Sequence, residues 1–394
     1  MTAERGRLPA IDVLRGVLMA LMALDHTRHF LSDSLELSST NLATTTPGQF
    51  LTRWVTHFCA PGFVFLAGTG VYLYARDRPL REVSRFLLLR GLWLVLLELT
   101  VVRCLGWSFN FDYGHVMAGV LWAIGWSMVV LALLIHLDIR AVAAIGIVII
   151  ASHNLFDDVR ARAFGPMGWL WTILHRTGHV QPLDGVRLKI SYPVLPWIGV
   201  LAVGYAFGPM LDAPADVRRR RLMWLGAALT LAFVALRALN VYGDPRPWSV
   251  KPSALFTVFS FLHCDKYPPS LCFLLMTLGP LIFALGALDR PPIAALQMLH
   301  WLGRAPLFFY LLHIPLIHLV AVVLARARYG HAEFLFQNPP AARGPAFPLP
   351  DGYGYPLWLV YLIWIALTGA LALACRWYGK YKQAHPSRWM TYLL

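Results

Sequence analysis

Repeated apolar stretches, most of them close to the length of a membrane span, constrain the fold of this chain more than any other feature. A helix needs about 20 apolar residues to cross the hydrocarbon core of a bilayer. Backbone polar groups find no water in that core, so each open spanning segment must satisfy them internally as a helix. The sequence therefore predicts an all-α, polytopic membrane helix bundle with about ten transmembrane helices. The predicted spans are 10–31, 55–75, 86–105, 115–137, 139–155, 193–211, 221–240, 269–288, 305–325 and 356–376.

The composition supports a single integral membrane domain over residues 1–394. Only 14% of the residues are charged, where soluble domains carry about 25%. The 15 Trp and 15 Tyr residues suit the two membrane–water interfaces. A formal net charge of +14 would suggest nucleic acid in a soluble protein, but here the arginines fall largely in short loops. We therefore expect the lipid bilayer as a partner and no nucleic acid.

The distribution of basic residues predicts the orientation. Cytoplasmic loops of membrane proteins carry an excess of Lys and Arg. The segments 76–85 and 218–221 are densely basic, whereas 106–114 contains neither Lys nor Arg. A cytoplasmic N-terminus places both basic segments inside, and ten spans then return the C-terminus to the cytoplasm. The first span carries several ionisable residues, so we expect no cleavable signal there.

Ionisable residues within the first predicted span mark a candidate site, because charged groups inside a bilayer are costly. About three helical turns separate Arg15 from His26, so the two residues share one helix face, about 16 Å apart along the axis. Asp12 precedes Arg15 by three residues and is expected to pair with it. The alternative interpretation is structural, with an interfacial Asp12–Arg15 ion pair and a hydrogen-bonded interior His26.

Further histidines favour a catalytic role for His26 over the structural interpretation. His57 lies at the outer end of the second predicted span and His313 lies in the ninth, so a bundle would gather them with His26 in the outer half of the bilayer. Histidine suits general acid–base catalysis because its ordinary pKa lies near neutrality. No H-E-x-x-H motif or carboxylate-supported spacing is evident, so no metal is predicted. We expect packing or anchoring roles for the remaining span histidines, His115, His153 and His318.

Two arginines within spans predict an anionic ligand. Arg15 and Arg90 lie just inside their spans on the basic side, where they are placed to hold phosphates of a cytosolic ligand. Topology and anionic lipid are the competing explanation, and they account for the run Arg218–Arg221. Among the cysteines, Cys104 and Cys264 are candidates for a disulfide, whereas buried free thiols are the default.

Several motifs resemble one family. The opening RLPAIDVLRGVLMALMALDH and the following THFCAPGFVFLAGTGVYLY resemble the catalytic domain of heparan-α-glucosaminide N-acetyltransferase and its bacterial relatives. The segments SYPVLPWIGVLAVGYAFG, KYPPSLCFLLMTLGP and GRAPLFFYLLHIPLIH are similar to later parts of the bacterial branch, so the resemblance runs from about 7 to 390. It implies a multi-pass transferase in a bacterial inner membrane. The spacing from Arg15 to His26 also resembles the start of membrane sugar O-acyltransferases, which implies a catalytic His26.

One departure from the family bears on the acceptor. The lysosomal enzyme carries an active-site histidine between its first two spans, but the segment 32–53 contains none here. His26 or His57 would have to supply that function, and transfer to a heparan amino group is not implied. The acceptor is left open between a sugar amine and a hydroxyl of a bacterial glycan.

The leading hypothesis is a transmembrane acyltransferase that moves an acetyl or other acyl group from cytosolic acyl-CoA to an extracytoplasmic sugar or glycan. Arg15 and Arg90 would bind the acyl-CoA, and His26 would act as general base or acyl carrier, with His57 or His313 orienting it or stabilising charge. No metal or redox cofactor is expected, and a homo-oligomer is left open. The alternative is a transporter that uses buried histidines as a proton relay. A third interpretation is an assembly subunit whose polar residues specify packing.

Overall fold

The computed structural model describes residues 8–33, 39–290, 294–336 and 349–385. Within these residues the chain is predominantly helical with little sheet, and it divides into two compact units. The first unit comprises 8–11, 60–98 and 117–290, and the second comprises 12–33, 39–59, 99–116, 294–336 and 349–385. Each unit is therefore built from separate parts of the chain. The single membrane domain over 1–394 stays a prediction.

The first unit holds most of the helices. They are α3 (Cys59–Ala75, whose first residue belongs to the second unit), α4 (Leu80–Leu97), α5 (Val120–Leu134), α6 (Ile139–Ser152), α7 (Gly168–Leu174), α8 (Val194–Ala206), α9 (Ala215–Leu239), α10 (Ala254–Leu262) and α11 (Leu271–Leu288). A tight turn separates α5 from α6, and Asp138 caps α6 by accepting a hydrogen bond from the backbone N–H of Arg140 at 2.8 Å.

The second unit contains the remaining helices. They are α1 (Pro9–Leu31, which enters this unit at Asp12), α2 (Pro47–Thr56), a π-helical segment (Glu98–Ser108, which enters it at Leu99), α12 (Gln297–Arg304), α13 (Pro306–Tyr329) and α14 (Leu357–Ala384). The amphipathic α12, which precedes α13, was not predicted from the sequence.

The chain is an integral membrane protein. Seven helical segments of the described residues are long and apolar enough to cross a membrane: Pro47–Ala75, Ile139–Phe156, Val194–Asp212, Ala215–Leu239, Leu271–Leu288, Pro306–Tyr329 and Leu357–Ala384. The other three predicted spans are also helical, as α1, α4 and the shorter apolar α5. The polytopic all-α fold is thus confirmed, while the number of ten crossings stays a prediction.

Two histidines lie where the backbone changes between elements. His57 ends α2 as its C-cap, before α3 begins at Cys59, and it lies within the single apolar segment Pro47–Ala75. His115 lies in strand β1 (His115–Ala118), and α5 begins only at Val120. The predicted start of the fourth span at 115 was therefore wrong, because hydropathy does not distinguish an apolar strand from an apolar helix.

A small sheet accompanies the helices. Its strands β1, β2 (Gly178–Leu183) and β3 (Val186–Ile190) are ordered β1-β3-β2, and β2 pairs with β3 in antiparallel register, with Val180 opposite Leu188. The hairpin turns at Gly185, whose φ of 78° lies in the left-handed region that glycine enters without strain. The short helix α7, which carries Trp169 and Trp171, precedes β2 in the chain.

The basic run Arg218–Arg221 lies in the first turns of α9 rather than in a loop. The Arg218 guanidinium forms a two-pronged ion pair with Asp289, at 2.7 and 2.9 Å, and donates to the backbone carbonyls of Leu211 and Ala213. Topology and lipid binding therefore do not account for all four arginines, because Arg218 joins α9 to the end of α11. All five cysteines are free and buried, so the Cys104–Cys264 disulfide is not formed.

Candidate active site

The candidate site lies in the second unit and begins with the packing of α1 against α12. A side chain at Gly16 would meet the Leu299 carbonyl oxygen at 1.9 Å, and one at Gly303 would meet the Asp12 carbonyl oxygen at 1.7 Å. Both positions therefore require glycine, and the two helix backbones approach closely there. This close packing fixes the start of α1 against the segment that leads into α13.

The same helices meet again further along the chain. The Nδ1 atom of His26 on α1 lies 2.8 Å from Nε2 of His313 on α13, and the two rings stack with centroids 5.0 Å apart. Asp12 meets Gly303 and Gly16 meets Leu299, so α12 crosses the start of α1 in the opposite direction. His26 meets His313 and Phe30 meets His318, so α13 runs along α1 in the same direction. The structure thus brings together two of the three histidines that the sequence selected.

Backbone carbonyls determine which nitrogens of this pair carry protons. The Nδ1 atom of His313 lies 2.7 Å from the Tyr310 carbonyl oxygen and 3.1 Å from that of Phe309. A carbonyl only accepts, so His313 Nδ1 must be protonated, and in a neutral ring Nε2 then carries the lone pair. His26 must therefore donate from Nδ1 to His313 Nε2. With both rings neutral, the lone pair of His26 is on Nε2.

This arrangement suits His26 to act as a general base. When Nε2 of His26 takes a proton, the ring becomes a cation and its Nδ1–H still donates to His313. The bond is then charge-assisted, and such bonds are roughly twice as strong as neutral ones. His313 is completely buried, so its ring cannot turn to water. The dyad is able to orient His26 and to stabilise the cation that forms on it.

Trp107 packs against His26 from the π-helical segment, and no sequence pattern indicated its role. Its ring meets that of His26 edge-on, with centroids 5.2 Å apart, and stacks on Phe30 at 5.9 Å. The indole Nε1–H is buried and has no acceptor among the described residues. A buried donor without an acceptor costs about 1–3 kcal/mol. Other buried tryptophans of the described residues are in the same state, and Trp107 differs from them in its contact with His26. π-Helical turns are frequently found at functional sites.

His318 has a structural environment, as its packing interpretation predicted. Its Nδ1 and Nε2 atoms lie 2.9 Å and 2.8 Å from the carbonyl oxygens of Gly106 and Leu335. The ring stacks between Phe30 and Phe109. The φ of 48° at Phe109 is an outlier for so bulky a residue, and it directly follows the π-helical segment. His318 therefore fixes the turn that carries Trp107.

The predicted Asp12–Arg15 pair is present at the other end of the candidate site. An Arg15 Nη1 atom lies 3.8 Å from Asp12, and Nε2 of His300 on α12 approaches the same carboxylate at 3.7 Å. The Arg15 side chain is 22% exposed, so part of it remains available to a ligand. Arg15 and His26 lie on one continuous helix, as predicted.

The two other predicted residues are buried in different surroundings. His57 belongs to the second unit and lies at the end of α2. Arg90 belongs to the first unit, on α4. Their assignments to charge stabilisation and acyl-CoA binding stay predictions.

A second ionic cluster in this unit surrounds Asp25, next to His26 in sequence. Its carboxylate is contacted by Arg28 at 3.2 Å and by Arg53 at 2.5 Å, and Arg28 also donates to the Ser39 hydroxyl at 2.6 Å. Two arginines on one carboxylate leave a net positive charge in this cluster.

The fold and the histidine dyad together define a polytopic membrane protein with a half-buried His26 paired to a buried His313. Residues 7–243 match the family described as heparan-alpha-glucosaminide N-acetyltransferase, catalytic, and the chain belongs to that family. The match is shorter than the predicted resemblance to about 390, so it includes His26 and Trp107 but ends before His313. No curated protein matches the chain. The family makes the protein a membrane acetyltransferase.

Proposed function

We propose that this acetyltransferase moves an acetyl group from cytosolic acetyl-CoA to a hydroxyl or amine of an extracytoplasmic sugar or glycan, with His26 as the general base. The observation that carries the proposal is the His26–His313 bond, because the carbonyls of α13 leave His26 Nε2 with the lone pair. Family membership supports acetyl transfer and does not by itself name the donor.

The reaction follows from the proton positions. The acceptor oxygen or nitrogen attacks the thioester carbonyl carbon while His26 Nε2 takes the acceptor's proton. Negative charge develops on the carbonyl oxygen, and the buried Trp107 N–H is the donor placed beside His26 to receive it. The intermediate collapses with cleavage of the carbon–sulfur bond. The CoA thiolate then leaves and takes the proton from His26, which restores the neutral dyad.

The donor is assigned to the Arg15 end of α1. Arg15 lies about 16 Å along the helix from His26, so a phosphate held there lets an extended thioester arm reach toward the dyad. The assignment of Arg90, in the first unit, stays a prediction from the sequence. Direct transfer is preferred to an acyl-histidine, because the carbonyl-fixed tautomer equips His26 for proton transfer.

The test is acceptor-dependent release of CoA thiol by the purified full-length protein in lipid nanodiscs. Acetyl-CoA and longer acyl-CoAs are compared across a panel of monosaccharides and oligosaccharides. We expect release with acetyl-CoA only when an acceptor is present, together with mass-spectrometric detection of the acetylated sugar. If no acceptor supports CoA release, and the protein instead catalyses proton-coupled uptake of a solute into proteoliposomes, the protein is a transporter.

The proposal also requires the predicted orientation, with both termini in the cytoplasm of a bacterial inner membrane. Single cysteines at exposed positions test it, since the native cysteines are buried. Leu80→Cys and Ala215→Cys should react with a membrane-impermeant maleimide only after permeabilisation, and Ala43→Cys should react in intact cells. Reaction of Ala215→Cys in intact cells would reverse the orientation.

A further inference from the structure

A second histidine cluster lies in the first unit, at the end of α6. His153, Asp157 and His175 place one potential ligand atom each within 4.8 Å of one another. His153 begins the 3-10 turn His153–Phe156 that follows α6, Asp157 is the C-cap of that turn, and His175 follows α7 directly. The Nε2 atom of His175 lies 3.3 Å from an Asp157 carboxylate oxygen. The sequence analysis found no carboxylate-supported spacing, and it missed this one.

Both imidazoles are buried in an unusual state. His153 is 1% exposed and His175 is completely buried. None of their four ring nitrogens makes a hydrogen bond of good geometry with the described residues, although the Pro269 carbonyl lies near His153 and Asp157 lies near His175. Buried polar atoms are nearly always paired, and exceptions point to a water or an ion. Two such rings beside one carboxylate form the donor set of a cation site.

The carboxylate is also held in position from behind. The Asn154 side chain donates to the second Asp157 oxygen at 2.8 Å, and its own carbonyl oxygen accepts from the Leu271 backbone N–H at 2.9 Å. Outer hydrogen bonds of this kind orient metal ligands and are a regular part of metal sites. Phe156 and Trp171 pack against the His175 ring and shield it.

The geometry points to a zinc site. We propose that His153, Asp157 and His175 bind one Zn²⁺ ion, which ties the end of α6 to the segment after α7. Two ligand atoms of a tetrahedral site with bonds of about 2.0 Å lie about 3.3 Å apart, and the His175–Asp157 pair already has that separation. Nitrogen and carboxylate oxygen ligands suit Zn²⁺, and the fourth position takes a water molecule. This inference stands on its own geometry and does not rest on the proposed acetyl transfer.

The test uses the full-length protein with its purification tag removed. The protein is loaded with ZnCl₂, desalted and analysed for metal by mass spectrometry. Wild type should retain about one Zn²⁺ per chain, as a site with three protein ligands permits. His175→Gln and Asp157→Asn should retain almost none. His136→Gln is the matched control in the same unit, because His136 is exposed, and it should retain the wild-type amount.

Thermal unfolding gives a second measurement that separates binding from folding. An ion that binds only the folded state raises the melting temperature. ZnCl₂ should therefore raise the melting temperature of wild type and His136→Gln, and leave that of Asp157→Asn unchanged. If His175→Gln does not fold, Asn154→Leu provides the test of Zn²⁺ binding. This variant keeps all three ligands but loses the hydrogen bond to Asp157, so its Zn²⁺ affinity should fall by about 10–100-fold. Equal zinc retention by wild type and Asp157→Asn, or none by wild type, would overturn the proposal.

Discussion

The two units each contain a close pair of histidines, and the pairs differ in what surrounds them. In the second unit, His26 and His313 stack with ring planes 19° apart and share a hydrogen bond. In the first unit, His153 and His175 meet at 69° with centroids 5.6 Å apart, beside the Asp157 carboxylate. The residue type is the same, and its neighbours decide which chemistry is available.

Backbone carbonyls and a carboxylate act differently on an imidazole. The carbonyls of Tyr310 and Phe309 accept from His313, so the His313 proton lies on Nδ1. His26 then donates from its own Nδ1 to His313 Nε2. A chain of hydrogen bonds of this kind suits proton transfer. The ring nitrogens of His153 and His175 lack well-formed hydrogen bonds, and Asp157 supplies negative charge, so their lone pairs suit a cation. The first arrangement predicts acid–base catalysis, and the second predicts metal binding.

The largest expected effect separates the two pairs directly. His26→Gln removes the proposed base, and a general base contributes about 10²–10⁴-fold to rate. Acetyl transfer, measured as CoA release, should fall by that factor while Zn²⁺ retention stays at the wild-type value. His136→Gln should keep both the wild-type rate of acetyl transfer and the wild-type Zn²⁺ retention. Wild-type transfer by a folded His26→Gln variant would return His26 to a structural role.

Trp107→Phe should have the next largest effect. It keeps the aromatic contact with His26 and Phe30 but removes the buried N–H. Loss of one donor to a developing oxyanion costs about 10²–10³-fold in kcat. The KM for acetyl-CoA should change little, because the donor acts mainly in the transition state. An unchanged kcat in Trp107→Phe would show that the indole has only a packing role. Trp122→Phe, in the first unit, is the control, because it also removes a buried indole N–H.

The sequence was sufficient for the elements that depend on hydropathy and spacing. Apolar stretches of membrane length predicted the polytopic fold, and helical periodicity placed Arg15 and His26 on the one helix α1. His26 and His313 are far apart in the chain, and no local pattern states that they touch. The motifs favoured both residues, but only the packing of α1 on α12 and α13 explains their contact.

The features that sequence reasoning missed are those set by three-dimensional packing. The π-helical turn that carries Trp107 has the same hydropathy as an ordinary helix, so nothing distinguishes it in the sequence. Arg218 looked like a loop residue because its partner, Asp289, is distant in the chain. The His153–Asp157 spacing was visible, but its third member, His175, becomes a neighbour only when α7 folds back.

His313 should show an intermediate effect that distinguishes positioning from packing. A hydrogen bond to a charged group contributes about 1.5–3 kcal/mol, so His313→Leu should lower kcat by about 10–10²-fold. His313→Gln should recover part of that loss, because its amide oxygen is able to accept from His26 Nδ1. A packing role would make the two variants equivalent in kcat at equal melting temperature, and that result would break the dyad interpretation.

The smallest expected effect concerns the donor, and it tests whether the dyad and the phosphate contact share α1. Arg15 is partly exposed and already paired with Asp12 at 3.8 Å, so screening limits what it contributes. Arg15→Gln should raise the KM for acetyl-CoA about fivefold, which corresponds to about 1 kcal/mol, and leave kcat close to wild type. Arg326→Gln removes an equal charge from a more exposed position in the same unit and should leave KM unchanged.

Because the Asp12–Arg15 pair is partly solvated, its loss costs little stability and the Arg15→Gln variant should fold. An unchanged KM in Arg15→Gln would move the donor away from this end of α1, and a raised KM in Arg90→Gln would then assign the phosphates to the first unit.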